Sequence, residues 1–399
     1  MPKVLRIINR FNLGGITYNV SYLSKYLPAE YETLLIGGPE EEGELSSLYI
    51  PESLELKPVI VEELKRSINF LGDYYAYKKI KKIIKEFKPD IVHTHASKAG
   101  VIGRLAAIHC KVPVVVHTFH GHVFKGYFSP FKTAIFKMIE RYLSKRSSAI
   151  VAISQIQKQE LTQHYKVCDA KKTQVIKLGF DLKKFAEDKT AKRELFRKDF
   201  FALPDDLAIG IIGRLAPIKN HFLFIDAIDH IVKNTDKKIC AYIIGDGETK
   251  EELIKYIESK NLTWSDKAKD YKQITFTSWI RAVDVALAGL DLVCLTSKNE
   301  GTPVSLIEAQ AAGKFIVTTN VGGIKDILNP KCGLLSEAYD AETYKKNLLY
   351  AVTNFEEVSI NANVASEEVI KEFSYTRLCK EMDELYQSLL SGRAKSRPN

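Results

Sequence analysis

Short, almost wholly apolar runs recur along this chain. Each ends in a glycine or polar turn, and most lead into a stretch with helical spacing. Residues 4–9, 91–95, 112–116, 149–153, 207–212, 240–244, 274–277 and 291–295 are such runs. A strand without a polar face must be covered on both sides, which happens when helices cross back over a sheet of parallel strands. The expected fold class is therefore α/β, built from β-α-β units. With 399 residues and 45% hydrophobic content the chain exceeds what one core normally supports, so two such domains are expected. The first series closes at residues 177–181, and a second runs from 207 to about 351. The charged stretch 182–203 lacks strand character and reads as the connection.

Behind the run 291–295 comes Asn299-Glu300-Gly301-Thr302-Pro303-Val304-Ser305-Leu306-Ile307-Glu308. Thr302-Pro303 fits an N-cap followed by proline at the first helical position, with Glu300 on the loop and Glu308 on the helix. Free N–H groups at a helix N-terminus suit phosphate, so the segment Gly301, Thr302, Pro303, Val304 is a candidate anion site flanked by two hydroxyl-accepting carboxylates. After the run 207–212 stands Gly213-Arg214-Leu215-Ala216-Pro217-Ile218-Lys219-Asn220, where Arg214 offers a bidentate fork and Lys219 a mobile point charge to one anion. Gly245-Asp246-Gly247 closes a further strand. It lacks the third glycine of a dinucleotide fingerprint, Lys250 standing there, so a nicotinamide cofactor is not expected. Taken singly, each segment also has an ordinary reading as solvated surface charge or a plain turn.

In this order the segments resemble the retaining glycosyltransferases with two Rossmann-like domains, specifically glycosyltransferase family 4. The landmarks are Gly14-Gly15, Pro89-Asp90-Ile91-Val92-His93-Thr94-His95, His117-Thr118-Phe119-His120-Gly121-His122, Gly213-Arg214 with Lys219, Gly245-Asp246-Gly247, and the pair Glu300 and Glu308. The resemblance implies a GT-B fold: two Rossmann-like domains with parallel sheets facing an interdomain cleft. Residues 1–185 would bind the acceptor, 186–374 the nucleotide sugar, a helix 375–390 would return to the first domain, and 391–399 would be a disordered tail. It implies transfer of a sugar from a nucleotide diphosphate donor, most commonly a UDP-sugar, with the anomeric configuration kept. His120 would lie beside the donor sugar, with Gly14, Gly15, Gly213 and Gly245 around the donor and Trp279 beside the base. Glu300 would hold sugar hydroxyls and Glu308 ribose hydroxyls. Arg214, Lys219 and backbone amides would neutralise the leaving diphosphate. No Asp-x-Asp motif occurs, so no metal is assigned to the diphosphate and no cofactor is expected. The bacterial enzymes that build surface polysaccharides on lipid carriers are the most similar group, which implies a glycan or lipid-linked acceptor.

Six of the nine histidines fall at positions 93, 95, 109, 117, 120 and 122. Side chains on neighbouring strands alternate faces, so a shared metal is less expected than packing or acceptor-side roles for His93 and His95. Phe124, Tyr127 and Phe128 suit either stacking on a glycan ring, lipid contact, or core packing. The net charge of +9 is concentrated in residues 64–88 and 121–172. Within the latter, Phe131, Ile135, Met138, Ile139 and Tyr142 keep helical spacing between Lys132, Lys137, Arg141 and Lys145. Such a stripe ordinarily packs on the sheet, while the surplus cations face solvent and attract anionic lipid. No nucleic-acid module accompanies the charge. No run of about 18 apolar residues occurs and the chain start enters a strand, so a cytoplasmic protein able to work at the inner face of the plasma membrane is expected. The six scattered cysteines suggest neither zinc nor a disulfide framework. Two other classes stay open: a non-catalytic sugar-nucleotide sensor or scaffold, and a lipid- or nucleic-acid-binding module using the basic face alone.

Overall fold

The apolar runs become strands. In the computed structural model, which describes residues 1–12, 15–41, 44, 46–65, 67–121, 124, 129–266 and 270–394, the chain divides into two compact units. Gly14, His122, Tyr127, Phe128 and the tail residues 395–399 lie outside the described residues. One unit comprises Met1–Phe180 with Phe373–Asn399, the other Asp181–Glu372.

In the first unit β1 (Lys3–Arg10), β2 (Glu32–Gly38), β3 (Val59–Ile60), β4 (Ile91–His95), β5 (Val114–Phe119), β6 (Ala149–Ala152) and β7 (Thr173–Val175) form one sheet. Their order is β3-β2-β1-β4-β5-β6-β7, and every pair is parallel. The order reverses between β1 and β4, and it is at the carboxyl ends of the strands beside such a reversal that open α/β sheets generally bind ligands. Helix Phe70–Phe87 buries Ala76, Ile80 and Ile84, one every fourth residue. Asn69 caps it by accepting from the Gly72 N–H, and Lys88 ends it in the left-handed region just before Pro89. Helix Tyr375–Ala394 belongs to this unit and runs four residues beyond the expected end at 390. Its Leu378, Met382, Leu385 and Tyr386 pack against Val4, Ile91 and Val114. Phe180 N–H donates to the Phe373 carbonyl at 2.8 Å, and Tyr375 N–H to the Phe180 carbonyl at 3.1 Å, so the departing and returning chain lie side by side.

Helix Pro130–Arg146 departs from the ordinary expectation for its stripe. It buries Glu140, Leu143 and Ser144, with Glu140 paired to the buried Arg104 at 2.7 Å. Phe131, Ile135, Met138 and Tyr142 are exposed instead, Phe131 by 76%. Their face is not the one that meets the sheet. Phe124, in contrast, is buried beside Tyr165 with ring centroids 5.2 Å apart, which makes it core and not a glycan platform. Among the described residues no helix is long and apolar enough to cross a membrane.

In the second unit β8 (Leu207–Ile212), β9 (Ile239–Ile244), β10 (Trp264–Asp266), β11 (Ile274–Ser278), β12 (Leu292–Leu295), β13 (Phe315–Asn320) and β14 (Gly333–Glu337) form a parallel sheet ordered β10-β11-β9-β8-β12-β13-β14. Here the reversal falls between β8 and β12. The charged stretch 182–203 is more than a connection. It holds helix Lys189–Asp199, whose Phe196 is buried against Tyr242 and whose buried Arg197 donates to Asp291 at 2.5 Å. The charges hid a helix that the second core needs, because its few apolar positions are flanked by Lys and Arg.

Candidate active site

The loops after β8 and β12 are locked together at the reversal point of the second unit. Thr296 Oγ1 donates to the Lys219 carbonyl at 2.9 Å, and Lys298 N–H to the Ile218 carbonyl at 2.8 Å. Held this way, Lys219 Nζ lies 2.6 Å from Glu300 Oε1, and Ser297 Oγ donates to the same oxygen at 2.5 Å. Both partners are largely buried, with only 10% of the Glu300 side chain exposed. A Cβ on Gly213 would meet the Lys219 side chain at 3.8 Å, so this glycine borders the lysine stem. Arg214 takes a different partner, Glu248 at 3.0 Å, and is 67% exposed. The structure thus joins Gly213, Lys219 and Glu300, and pairs Arg214 with the loop after β9.

That loop is built for close approach. Gly245 has φ 146°, and any Cβ there would run into the Gly213 carbonyl oxygen. Asp246 accepts from Ser278 Oγ at 3.2 Å, tying the loop to the end of β11, beyond which Trp279 is exposed. Ser278 itself has φ 58°. The Gly-Asp-Gly segment serves loop-to-loop contact, which explains why no third glycine is needed.

The segment after Glu300 starts its helix one residue later than expected. Pro303 is the N-cap, with ψ 107°, and helix Val304–Ala311 begins without a side-chain cap. The reason is tertiary. Gly323 N–H donates to the Gly301 carbonyl at 2.9 Å, and this contact keeps Gly301, Thr302 and Pro303 out of the helical path. Gly322, at φ 57°, lies so close to the Glu300 carbonyl that any side chain would collide with it. Thr319 Oγ1 completes the frame by donating to the Ser297 carbonyl at 2.7 Å. Sequence reasoning missed Ser297, Thr319 and Gly322; the Gly322-Gly323 doublet, one intervening residue past the end of β13, was the available signal. Glu308 is half-buried on the helix, and burial pushes its carboxyl up to about 7, opposed by Lys184 and reinforced by Asp284.

At the reversal point of the first unit the polar groups are rings. His93 and His95 end β4 and stack with centroids 4.2 Å apart. His93 Nδ1 contacts Tyr386 Oη at 2.6 Å and Nε2 contacts Thr118 Oγ1 at 2.7 Å. His95 Nδ1 lies 3.0 Å from Nε2 of the half-buried His120, just after β5. His117 pairs with Thr94 at 2.8 Å. Beside them the fully buried Arg6 reaches Tyr386 Oη at 3.5 Å, while its Nε and Nη1 find no hydrogen-bond partner among the described residues. Burial, then Arg6, holds His93 well below the ordinary histidine range, and burial brings His120 down to about 4. The imidazoles are therefore neutral at neutral pH. Ala96, directly after His95, has φ 65° and ψ 163°, a conformation that costs ~1–3 kcal/mol in a residue with a Cβ and marks this turn as held by its surroundings. Gly15 is the first residue of helix Gly15–Lys25, which follows β1. Among the described residues no group of three His, Cys, Asp or Glu is arranged to hold a metal ion.

Two doubly wound parallel sheets, with cationic and amide-bearing loops at the reversal point of the second, define a GT-B protein. Residues 13–184 match the model of Glycosyltransferase Family 4 and residues 192–363 that of Glycosyl transferases group 1, so the chain belongs to this family of glycosyltransferases. It is 29% identical over 350 residues, 87% of each protein, to the UDP-Gal:alpha-D-GlcNAc-diphosphoundecaprenol alpha-1,3-galactosyltransferase of Escherichia coli. It is 24% identical over 343 residues, 82% of this chain and 84% of that protein, to the capsular polysaccharide biosynthesis glycosyltransferase CapM of Staphylococcus aureus. Among solved structures, Anabaena HepE in complex with UDP aligns with a TM-score of 0.79 at 20% identity, covering 97% of this chain and 100% of that one.

Proposed function

We propose that this glycosyltransferase moves a hexosyl group from a UDP-sugar to a lipid-linked or glycan acceptor in surface polysaccharide synthesis, with retention and without a metal ion. The observation that carries the reading is the Lys219–Glu300 pair, framed by Ser297 and Gly213 at the reversal point of a parallel sheet. A diphosphate competes for the ammonium and frees the carboxylate for sugar hydroxyls. Arg214 and the amides after Gly301 add donors to the leaving group, and each well-placed donor lowers the barrier by about 3 kcal/mol. Glu308 accepts from ribose hydroxyls, and Trp279 flanks the base. On the first unit, His120 hydrogen-bonds the sugar. The acceptor hydroxyl oxygen bonds to the anomeric carbon on the face from which the phosphate oxygen departs. That phosphate oxygen takes the hydroxyl proton, so the protein supplies position and charge and no nucleophile.

The identity to a diphosphoundecaprenol galactosyltransferase supports the lipid-linked acceptor. The exposed stripe Phe131, Ile135, Met138 and Tyr142, with exposed Lys132 and Lys145, supports work at the anionic inner face of the plasma membrane. Phe70, 89% exposed, with Leu71, Tyr74 and Tyr75 opens a second helix that continues into Lys78, Lys81 and Lys82. Each cation at such a surface contributes about 1 kcal/mol. Phe131→Ser with Met138→Ser should reduce flotation with anionic vesicles several-fold; unchanged flotation removes the membrane reading.

A thermal-shift panel of nucleotide diphosphate sugars tests the donor, since a ligand at about 100 times its Kd adds about 2.7 kcal/mol of stability. UDP-sugars should shift melting and be turned over in the presence of chelator. Binding without turnover on any acceptor or water points to a sensor instead.

A further inference from the structure

Two neutral imidazoles in contact share one proton: one nitrogen donates and the other accepts. Between His95 Nδ1 and His120 Nε2, at 3.0 Å with rings tilted by 34°, either assignment satisfies the contact itself. The second nitrogen of His95 decides between them. His95 Nε2 is buried and has no hydrogen-bond partner among the described residues. Were His120 the donor, His95 would carry its proton on Nε2, and a buried N–H would be stranded. Orphaned buried N–H groups are rarer than under-satisfied acceptors, so a bare Nε2 lone pair is the cheaper arrangement. His95 then holds its proton on Nδ1 and donates to His120 Nε2. His120 must carry its own proton on Nδ1.

We propose that His95 is a positioning residue that locks His120 as the Nδ1–H tautomer, so that His120 meets the transferred sugar only as a hydrogen-bond donor. The proposal rests on the reading of His120 as a sugar-side residue. Its Nε2 is occupied and cannot accept a proton, which removes His120 as a general base. The frame behind the pair is rigid: His93 stacks on His95 and is itself held at both nitrogens by Tyr386 and Thr118. The buried Arg6 cation nearby opposes a second proton on either His93 or His95. Ala96, with its left-handed φ, fixes the chain immediately after His95.

Long-range nitrogen–proton NMR on the full chain with 15N-labelled histidine reads the tautomers directly. The expected spectrum has His120 protonated on Nδ1 and bare on Nε2; a proton on His120 Nε2 overturns the proposal. His95→Phe keeps the ring and removes the donor, so His120 should become a tautomer mixture and kcat should fall about tenfold with donor KM unchanged. His95→Asn, whose amide can donate from near the Nδ1 position, should restore kcat to within about threefold of wild type. An unchanged His120 tautomer in His95→Phe, or an Asn variant no better than Phe, also overturns it. Should His95→Phe fail to fold, the wild-type spectrum and the Asn variant still decide. His120→Ala separates the two levels: wild-type turnover there removes the sugar-side reading, whereas the spectrum of the unmodified protein continues to test the lock.

Discussion

The two units share a sheet order around their reversal points and differ in what they place there. In the second unit the groups are charged, and loops position them: Lys219 on Glu300, Arg214 on Glu248, with backbone carbonyls and glycines as the frame. In the first they are neutral rings carried on strand ends and held side chain to side chain. Each cation there is paired with a carboxylate, Lys219 largely buried and Arg214 exposed. Rings that set a tautomer are buried, because burial is what keeps them neutral. One topology thus supports two chemistries, since the strands fix where the loops begin but not what those loops carry.

The sharpest way to break this contrast is at Lys219. Lys219→Ala should lower turnover by roughly 10²-fold or more, as for a lost transition-state donor, and it also strands Glu300. Arg214→Ala, at an exposed pair, should cost less; steady-state rates that rank the two in the opposite order would remove the assignment. Next comes the loop frame. Gly322→Ala forces a Cβ onto the Glu300 carbonyl at a positive φ, so it should cost at least ~2 kcal/mol by chemical denaturation. Full stability would mean the frame yields.

Acid should separate the units. A histidine whose folded-state pKa is depressed contributes stability that is present above its unfolded value, near about 6.5, and lost as pH falls. His93, His95, His117 and His120 in the first unit are all depressed, the last to about 4, against His221 in the second, also about 4. Between pH about 6.5 and 4 the first unit should therefore open before the second in hydrogen exchange; simultaneous opening would contradict the contrast. The smallest effect concerns Glu308. A carboxyl raised to about 7 is protonated below that pH, and in the proposed ribose-binding role it would accept hydroxyls better above it. Donor KM should fall several-fold from pH about 6 to 8 and stay flat in Glu308→Gln, as initial rates at varied donor concentration will tell.

Strand runs such as 207–212 and 291–295 were legible because a parallel strand covered on both faces needs unbroken apolar residues. The spacing from Glu300 to Glu308 was legible for a similar local reason, since one loop and the helix behind it carry both. The helix Lys189–Asp199 was hidden by its own Lys and Arg residues, and the outward turn of Phe131 and Met138 by a periodicity that reports a stripe without saying what it faces. The Lys219–Glu300 contact joins positions 81 apart, and His95–His120 positions 25 apart.

By itself the sequence determined the α/β class, the two series of strands and the residues able to carry charge, because these depend on periodicity and residue type over a few neighbouring positions. Which carboxylate meets which cation, which glycine must stay bare and which nitrogen of His120 is occupied were decided only by the tertiary structure. Those contacts arise where separate loops converge at a sheet's carboxyl edge, a matter of packing between segments that no local pattern encodes.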